Sequence, residues 1–280
     1  MAEVLRYAAF TLDGEGGNPA GVVLEAGGLD EDQMQQIAAE VAYSETAFLT
    51  PRVDEPNVYD VRYFSPQQEV PFCGHATIAA AVALADRKPG AEMIFHTPAG
   101  LVTVNTEETS EGTVAELTSV SPRISEPPEG LVERCLAALR WSADDLDPDY
   151  PPRLANAGAE HLVLVTRTHR RLIELDYDVD ALAAIMREHG IVTLQLVWPK
   201  SRRRYYSRNP FPGSDVAEDP ATGAAAAAFG GYLRELGKIG HTAHFTIRQG
   251  AETGRPSLIE VSVIEGEPGV RVRGFASQIE

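Results

Sequence analysis

Three ionisable side chains stand where proton chemistry would need them: Glu45, His75 and Asp219. Glu45 lies in Tyr43-Ser44-Glu45-Thr46-Ala47-Phe48, an acid directly before an apolar strand. Burial there raises a carboxyl pKa towards the range useful for proton transfer. His75 and Asp219 lie in glycine-containing polar turns, Cys73-Gly74-His75 and Asp219-Pro220-Ala221-Thr222-Gly223, and each turn opens an apolar helix. A helix N-terminus carries N–H groups without helical partners and about half a positive charge, so it attracts anions such as carboxylates. The combination suits proton movement on a small carboxylate-bearing molecule. Each residue also has a plainer account. Glu45 fits a surface acid at a strand start, and His75 a hydrogen-bonding residue packed at a helix start. Asp219 with Pro220 fits an N-cap followed by proline at the first helical position.

Other chemistries leave weaker traces. Cys73 at a helix start invites a two-thiol racemase reading, because helix N-termini lower thiol pKa values. No cysteine lies near Asp219, however, and Cys135 sits in an amphipathic helix. Cys73 therefore reads as a small pocket or core residue. Asn18, between Gly17 and Pro19, reads as a turn residue that can also orient a ligand. His241 and His244 form an H-x-x-H pair on a strand edge without a third ligand nearby, so no metal site is expected. G-x-S-x-G, G-x-x-x-x-G-K-[ST] and G-x-G-x-x-G are absent from the sequence, and no cofactor is expected.

The elements that carry these residues come twice. Leu5–Leu12 reads as a strand, residues 13–19 as a turn and Gly21–Leu24 as a strand. Asp30 reads as an N-cap with Gln33 as its capping-box partner, and the helix after it is amphipathic through Met34, Ile37, Ala38 and Val41. Strands follow at Thr46–Thr50 and 58–64. Gly74–Ala85 is a helix with no polar face, stopped by Pro89-Gly90, and strands follow at 92–96 and 100–105. The series then repeats. It runs through a helix at 131–140, a turn at 155–160, a strand at His161–Thr166, and a helix at Asp180–His189 capped by Gly190. Strands at Leu194–Trp198 and Arg203–Tyr206 lead to a second apolar helix, Ala221–Leu233, and to strands at 243–248, 258–264 and 269–275. A helix that is apolar all round is buried on all sides.

Arg62-Tyr63-Phe64-Ser65 and Arg204-Tyr205-Tyr206-Ser207 mark the repeat, and the Pro/Ser/Glu stretch 118–129 reads as the boundary. The sequence thus predicts an α+β fold of two similar halves, 1–118 and 119–280, with central helices near 74–86 and 221–236. The last strand is able to cross back to the first half. A repeated half implies pseudo-two-fold symmetry with a cleft between the halves.

The motifs Gly17-Asn18-Pro19, Ser44-Glu45-Thr46, Glu69-Val70-Pro71-Phe72-Cys73-Gly74-His75-Ala76-Thr77, Ser207-Arg208, Pro212-Gly213, Glu218-Asp219-Pro220-Ala221-Thr222-Gly223 and Gln249-Gly250 with Gly254-Arg255-Pro256-Ser257 occur in this order. Together they resemble the PhzF family of phenazine-biosynthesis-like isomerases, related in fold to diaminopimelate epimerase. The resemblance implies two barrel-like mixed sheets, each around a buried helix, and cofactor-independent proton transfer. It implies that Glu45 takes a proton from carbon and returns it elsewhere, with His75 and Asp219 assisting. Gly74 and Gly223 would hold a substrate carboxylate through backbone N–H groups, and Asn18, Cys73, Arg208, Thr222 and Ala224 would complete the binding set. A homodimer is implied as well.

The family's best-known reaction isomerises trans-2,3-dihydro-3-hydroxyanthranilate on the way to phenazines. Family members commonly carry Ser after Thr-Gly, where this chain has Ala224. A polar substrate group left without that hydroxyl costs on the order of 1–3 kcal/mol, which points away from the phenazine substrate itself. The alternative is a non-catalytic small-acid-binding protein that keeps the fold. Ala224 motivates it, and retention of Glu45, His75 and Asp219 speaks against it.

Composition narrows the partners. With 41 acidic and 24 basic residues the net charge is −17. This excludes nucleic acid, whose phosphates call for a surplus of Lys and Arg, and docking on anionic membranes. The 280 residues are ample for a core, and 44% hydrophobic content excludes disorder. The start, MAEVLRYAAF, reads as a strand and not as a targeting segment. No apolar stretch approaches the ~20 residues of a membrane span. A cytoplasmic protein with reduced Cys73 and Cys135 is expected.

Overall fold

The computed structural model describes residues 2–88, 92–212 and 217–280. The chain forms two units, Met1–Thr118 with Arg273–Glu280, and Ser119–Val272. In chain order the first contains β1 (Leu5–Ala9), β2 (Asn18–Val23), α1 (Glu31–Val41), β3 (Thr46–Pro51), β4 (Val58–Phe64), β5 (Glu69–Val70), α2 (Gly74–Arg87), β6 (Glu92–Thr97), β7 (Gly100–Thr109) and β8 (Gly112–Thr118). The second contains β9 (Arg123–Ser125), α3 (Leu131–Ala138), β10 (Arg153–Asn156), β11 (Glu160–Val165), α4 (His169–Ile173), α5 (Val179–His189), β12 (Thr193–Ser201), β13 (Arg204–Pro210), β14 (Glu218–Asp219), α6 (Gly223–Glu235), β15 (Ala243–Gln249) and β16 (Ser257–Val263). The final strand, β17 (Arg271–Gln278), begins in the second unit and ends in the first.

In the first unit β1–β2 is antiparallel, β2–β3 parallel, β3–β4 antiparallel and β4–β6 parallel, followed by the antiparallel pairs β6–β7 and β7–β8. The end of β17 pairs with β1 and with β8, which closes an eight-stranded mixed barrel. The second unit repeats the pattern. β10–β11 is antiparallel, β11–β12 parallel, β12–β13 antiparallel, β13–β15 parallel and β15–β16 antiparallel. Every parallel step needs a crossover, and these crossovers carry the helices: α1 and α2 in the first unit, α4 with α5 and then α6 in the second.

The two apolar helices are the cores of their units. Ala76, Ile78, Ala79, Ala80, Ala81, Val82 and Ala83 of α2 are all buried. Ala225–Leu233 of α6 is buried throughout, and its glycines are needed for close packing. A Cβ on Gly231 would lie 2.3 Å from Pro122 Cβ, and one on Gly230 2.9 Å from Val270 Cγ1. The amphipathic helices lie outside with caps legible in the sequence. Asp30 and Gln33 form the reciprocal capping box of α1, and Gly190 caps α5 in the left-handed region.

Local expectations are corrected in four places. The first strand ends at Ala9 rather than Leu12, because Phe10 takes a left-handed conformation (φ 62°) and its N–H bonds to Phe275 O at 2.6 Å. The linker-like stretch 118–129 holds a strand, β9, paired with β10. The second buried helix begins at Gly223 rather than Ala221, with Thr222 as its N-cap; Asp219 belongs to β14. The repeat is offset from the one read in the sequence. Phe64 pairs with Glu69 and Pro210 with Glu218, so Arg62 matches Arg208, not Arg204. Pro89, Gly90 and Gly213 lie outside the described residues. Among the described residues no helix is long and apolar enough to cross a membrane.

Candidate active site

In the first unit three of the expected residues come together at the start of α2. Glu45 is the residue before β3, and its carbonyl accepts a hydrogen bond from Gly21 N at 3.2 Å. Gly21 has to be glycine, since a Cβ there would lie 2.5 Å from Thr46 Oγ1. The close approach of β2 to β3 thus fixes the backbone that carries Glu45. Cys73 is the N-cap of α2, and its carbonyl is held from two sides by Thr77, through the backbone N–H at 3.0 Å and Oγ1 at 2.7 Å. Tyr63 hydroxyl lies 2.7 Å from Thr77 Oγ1, and burial pushes its pKa well above the ordinary value. A neutral phenol therefore locks the helix start from behind.

On this frame His75 Nε2 lies 3.4 Å from Glu45 Oε2 and 3.4 Å from Ser44 Oγ. Cys73 Sγ lies 3.3 Å from His75 Nδ1 and 3.6 Å from Glu45 Oε2. The side chains of His75 and Glu45 are 6% and 14% exposed, so the carboxylate is the group with some access. A carboxylate touching an imidazole next to a helix N-terminus can accept a proton, exchange it with the imidazole and release it again. Asn18 is buried at the head of β2, opposite Ala9.

In the second unit Asp219 and Thr222 are assembled by a residue to which the sequence assigned no role. Gln249, at the end of β15, donates through Nε2 to Asp219 O at 2.7 Å and to Thr222 Oγ1 at 3.0 Å. Its Oε1 accepts from Thr222 N at 3.3 Å and from Ser207 Oγ at 3.2 Å. Thr222 Oγ1 in turn donates to Asp219 Oδ2 at 2.6 Å. The threonine hydroxyl is thereby committed to Asp219, which explains why it makes no capping bond to its own helix. Gly250 follows in a left-handed conformation (φ 78°), and a Cβ on it would meet Arg255 O at 2.3 Å and Pro220 O at 2.5 Å. The Gln-Gly pair in the sequence is the signal for this clamp. Ala224, half-buried, lies in the first turn of α6.

Arg208 is held by Glu218 and by the end of α4. Its side chain is only 11% exposed and makes a two-pronged pair with Glu218, from Nε at 2.9 Å and Nη2 at 2.6 Å. Nη1 donates to Ile173 O at 2.8 Å. Burial works against its charge, but the hydrogen bonds and charge of Glu218 outweigh this and hold the pKa above its usual value. With its donors directed at Glu218 and at the end of α4, Arg208 clamps β13 to β14. Arg62 and Glu69 form the matching pair in the first unit, at 2.7 Å from both Nε and Nη2, and it holds the Glu69 carboxyl below the usual range. The recurring Glu-x-Pro-x-x-Gly of Glu69–Gly74 and Glu218–Gly223, each with an upstream arginine, is the signal in the sequence for both clamps.

The pairing also sets Cys73 against Thr222 and His75 against Ala224, so the second unit has no thiol at the position of Cys73. His241 and His244 are exposed, and His244 Nδ1 is 2.8 Å from Ser262 Oγ.

The phenazine biosynthesis-like protein family (PhzC-PhzF) matches residues 7–280. The chain belongs to this family. It is 31% identical to the uncharacterized isomerase YfhB of Bacillus subtilis over 97% of this chain and 94% of that one. It is 32% identical to the trans-2,3-dihydro-3-hydroxyanthranilate isomerase of Pseudomonas chlororaphis over 90% of this chain and 86% of that one. A predicted epimerase of Pseudomonas aeruginosa, 26% identical, superposes over 100% of this chain and 98% of its own with a TM-score of 0.88. The chain is thus a PhzF-family isomerase with an epimerase-like α+β barrel fold.

Proposed function

We propose that this PhzF-family protein moves a proton on a small, carboxylate-bearing, cyclic or amino-acid-like metabolite, without a cofactor. The observation that carries the reading is the contact of Glu45, His75 and Cys73 at the start of α2, with His75 Nε2 3.4 Å from Glu45 Oε2. Glu45 is the proposed acid/base. His75 holds its carboxylate and shares its proton. The first N–H groups of α2 and α6, at Gly74 and Gly223, lack helical partners by construction and are suited to a carboxylate. Asp219, Thr222, Asn18 and Ala224 are proposed to assist in binding. Trans-2,3-dihydro-3-hydroxyanthranilate is the first substrate to try, because a relative at 32% identity is named for it. Cytoplasmic location and a homodimer remain part of this reading.

The test is proton exchange at carbon in D₂O, followed by NMR over a panel of cyclic amino acids and hydroxyanthranilate-like acids. Wild-type protein should introduce deuterium into a true substrate. Glu45→Gln should slow this by ~10²–10⁴, the usual contribution of general acid–base catalysis. Exchange at the wild-type rate in the variant would remove Glu45 from its role. Binding across the panel with no exchange would favour the non-catalytic alternative.

A further inference from the structure

We propose that the outer face of α1, with the chain around Arg6, is the surface on which a second copy of this chain docks about a two-fold axis, fixed by reciprocal Arg6–Glu40 ion pairs. The proposal deepens the homodimer of the proposed function and rests on that part of it. A groove of about 490 Å³ runs between β1 and α1. Val4, Leu29, Ile37 and Val41 give it apolar walls, and Arg6 and Glu40 are the two charged side chains that line it. Arg6 has no ion-pair partner among the described residues, and Glu40 accepts only from Gln36 Nε2 of its own helix, at 2.9 Å. The groove is thus apolar, open and marked by one charge of each sign.

The second unit shows what such a face takes. α1 and α5 correspond residue by residue: Asp30 and Asp178 are their N-caps, each has 11 residues, and Ala42 and Gly190 end them in the left-handed region. Ile37 thus matches Ile185, and Glu40 matches Glu188. The sheet extends the match. Arg6 pairs with Gly21 and Gly21 with Thr46, as Leu154 pairs with Leu162 and Leu162 with Leu194. Arg6 thus matches Leu154. In the second unit an amphipathic helix, α3, covers this face. Leu131 and Cys135 pack in one cluster with Ile185 and Leu154, and Arg134 Nη2 pairs with Glu188 Oε2 at 2.7 Å. Ile185 is 7% exposed under that cover, whereas Ile37 is half-buried. The face of α1 is therefore built to receive a helix, and its charges say which. α3 answers a glutamate with an arginine, and Leu154 asks for no partner. An occupant of the first groove has to answer Glu40 with a cation and Arg6 with an anion. A second copy carries both on the same surface, as an isologous contact requires. Arg6 of each copy then meets Glu40 of the other, and Ile37 and Val41 pack across the axis. Such a contact is locally neutral, which lets two chains of net charge −17 approach each other.

The test is sedimentation velocity of the full chain over a range of concentrations. Wild type should form a reversible dimer. Arg6→Glu and Glu40→Arg each set like charges against each other twice per dimer, and each should weaken dimerisation at least about tenfold. The double variant rebuilds both pairs with their signs exchanged and should recover the wild-type association. Circular dichroism checks folding. If a reversal misfolds, Ile37→Gln decides: it keeps a helix former on α1, removes apolar contact, and should also weaken the dimer at least about tenfold. A dimer unchanged by the single reversals or by Ile37→Gln, or a double variant as weak as the singles, overturns this interface and leaves the homodimer of the proposed function standing. A wild-type chain that stays monomeric at every concentration overturns both. Deuterium exchange at carbon is measured separately, so failure of the proton-transfer reading and failure of the interface are told apart.

Discussion

His161 illustrates how differently the two units treat equivalent positions. Extending the β12–β13 register from Leu196↔Arg208 sets Leu194 opposite Pro210, as Thr46 is opposite Phe64. Thr193 therefore stands in the second unit where Glu45 stands in the first. The place of an acid is taken by a neutral network. His161 Nδ1 is 2.9 Å from Thr193 Oγ1, and Asn209 Nδ2 donates to Thr193 Oγ1 at 3.2 Å and to Gln195 Oε1 at 2.6 Å. His161 is fully buried, which pushes its pKa down to about 4, and its Nε2 has no hydrogen-bond partner among the described residues. The folded state therefore keeps this imidazole neutral where the unfolded chain, with a pKa near 6.5, takes up a proton. Stability is full above pH 6.5 and falls as the pH drops towards 4. Urea unfolding should show a loss of about 2–3 kcal/mol between pH 7.5 and pH 4.5 from this group. His161→Gln, which does not titrate, should flatten that slope. An unchanged slope would assign the acid sensitivity elsewhere.

At the scale of elements, the junction of β14 with α6 depends on one side chain of β15. Gln249 serves Asp219, Thr222 and Ser207 at once. Gln249→Leu keeps the bulk and strands those polar groups, at a cost on the order of 2–3 kcal/mol. Thermal melts should register this. Deuterium exchange should fall as well if Asp219 and Thr222 assist the reaction, while Ser207→Ala, which removes one hydroxyl from the same network, should be milder in both. This junction also marks where the sequence stops being legible. Helices, caps and the two buried cores can be read from periodicity, alanine content and Asp30 with Gln33, because these are local signals. Glu45, His75 and Asp219 stand out because acids and histidines beside glycine turns are rare in apolar surroundings. The start of α6 differs from the sequence expectation because Asp219-Pro220 is a sound N-cap locally. Only the long-range pairing of Asn209 with Asp219 pulls Asp219 into a strand. The ion pair of Arg208 is hidden for a similar reason: its partner Glu218 lies across the β13–β14 pairing, and nothing local points to it.

At the scale of the whole molecule, the order of the chain and the order of the folded units differ in one respect. Residues 273–280 follow the second unit in sequence but complete the first. Ala9 pairs with Ala276, Phe10 N bonds to Phe275 O at 2.6 Å, and Ile279 N bonds to Arg6 O at 2.9 Å. Gly274 is fitted to Phe10, since a Cβ there would lie 2.4 Å from the ring. Without this segment the facing edges of β1 and β8 lose their partner, and an open apolar barrel exposes unpaired strand edges that invite aggregation. A chain ending at Val272 should therefore lose amide protection at Phe10 and Thr11 in hydrogen exchange, whereas amides of the paired strands β11 and β12 stay protected. A fragment of residues 1–118 should be prone to aggregate, and a synthetic 273–280 peptide should restore cooperative melting. If that fragment melts cooperatively as a monomer without the peptide, the barrel does not need its eighth strand. The closure then has to be assigned to packing around α2, whose buried alanines and Ile78 would suffice to hold seven strands in place.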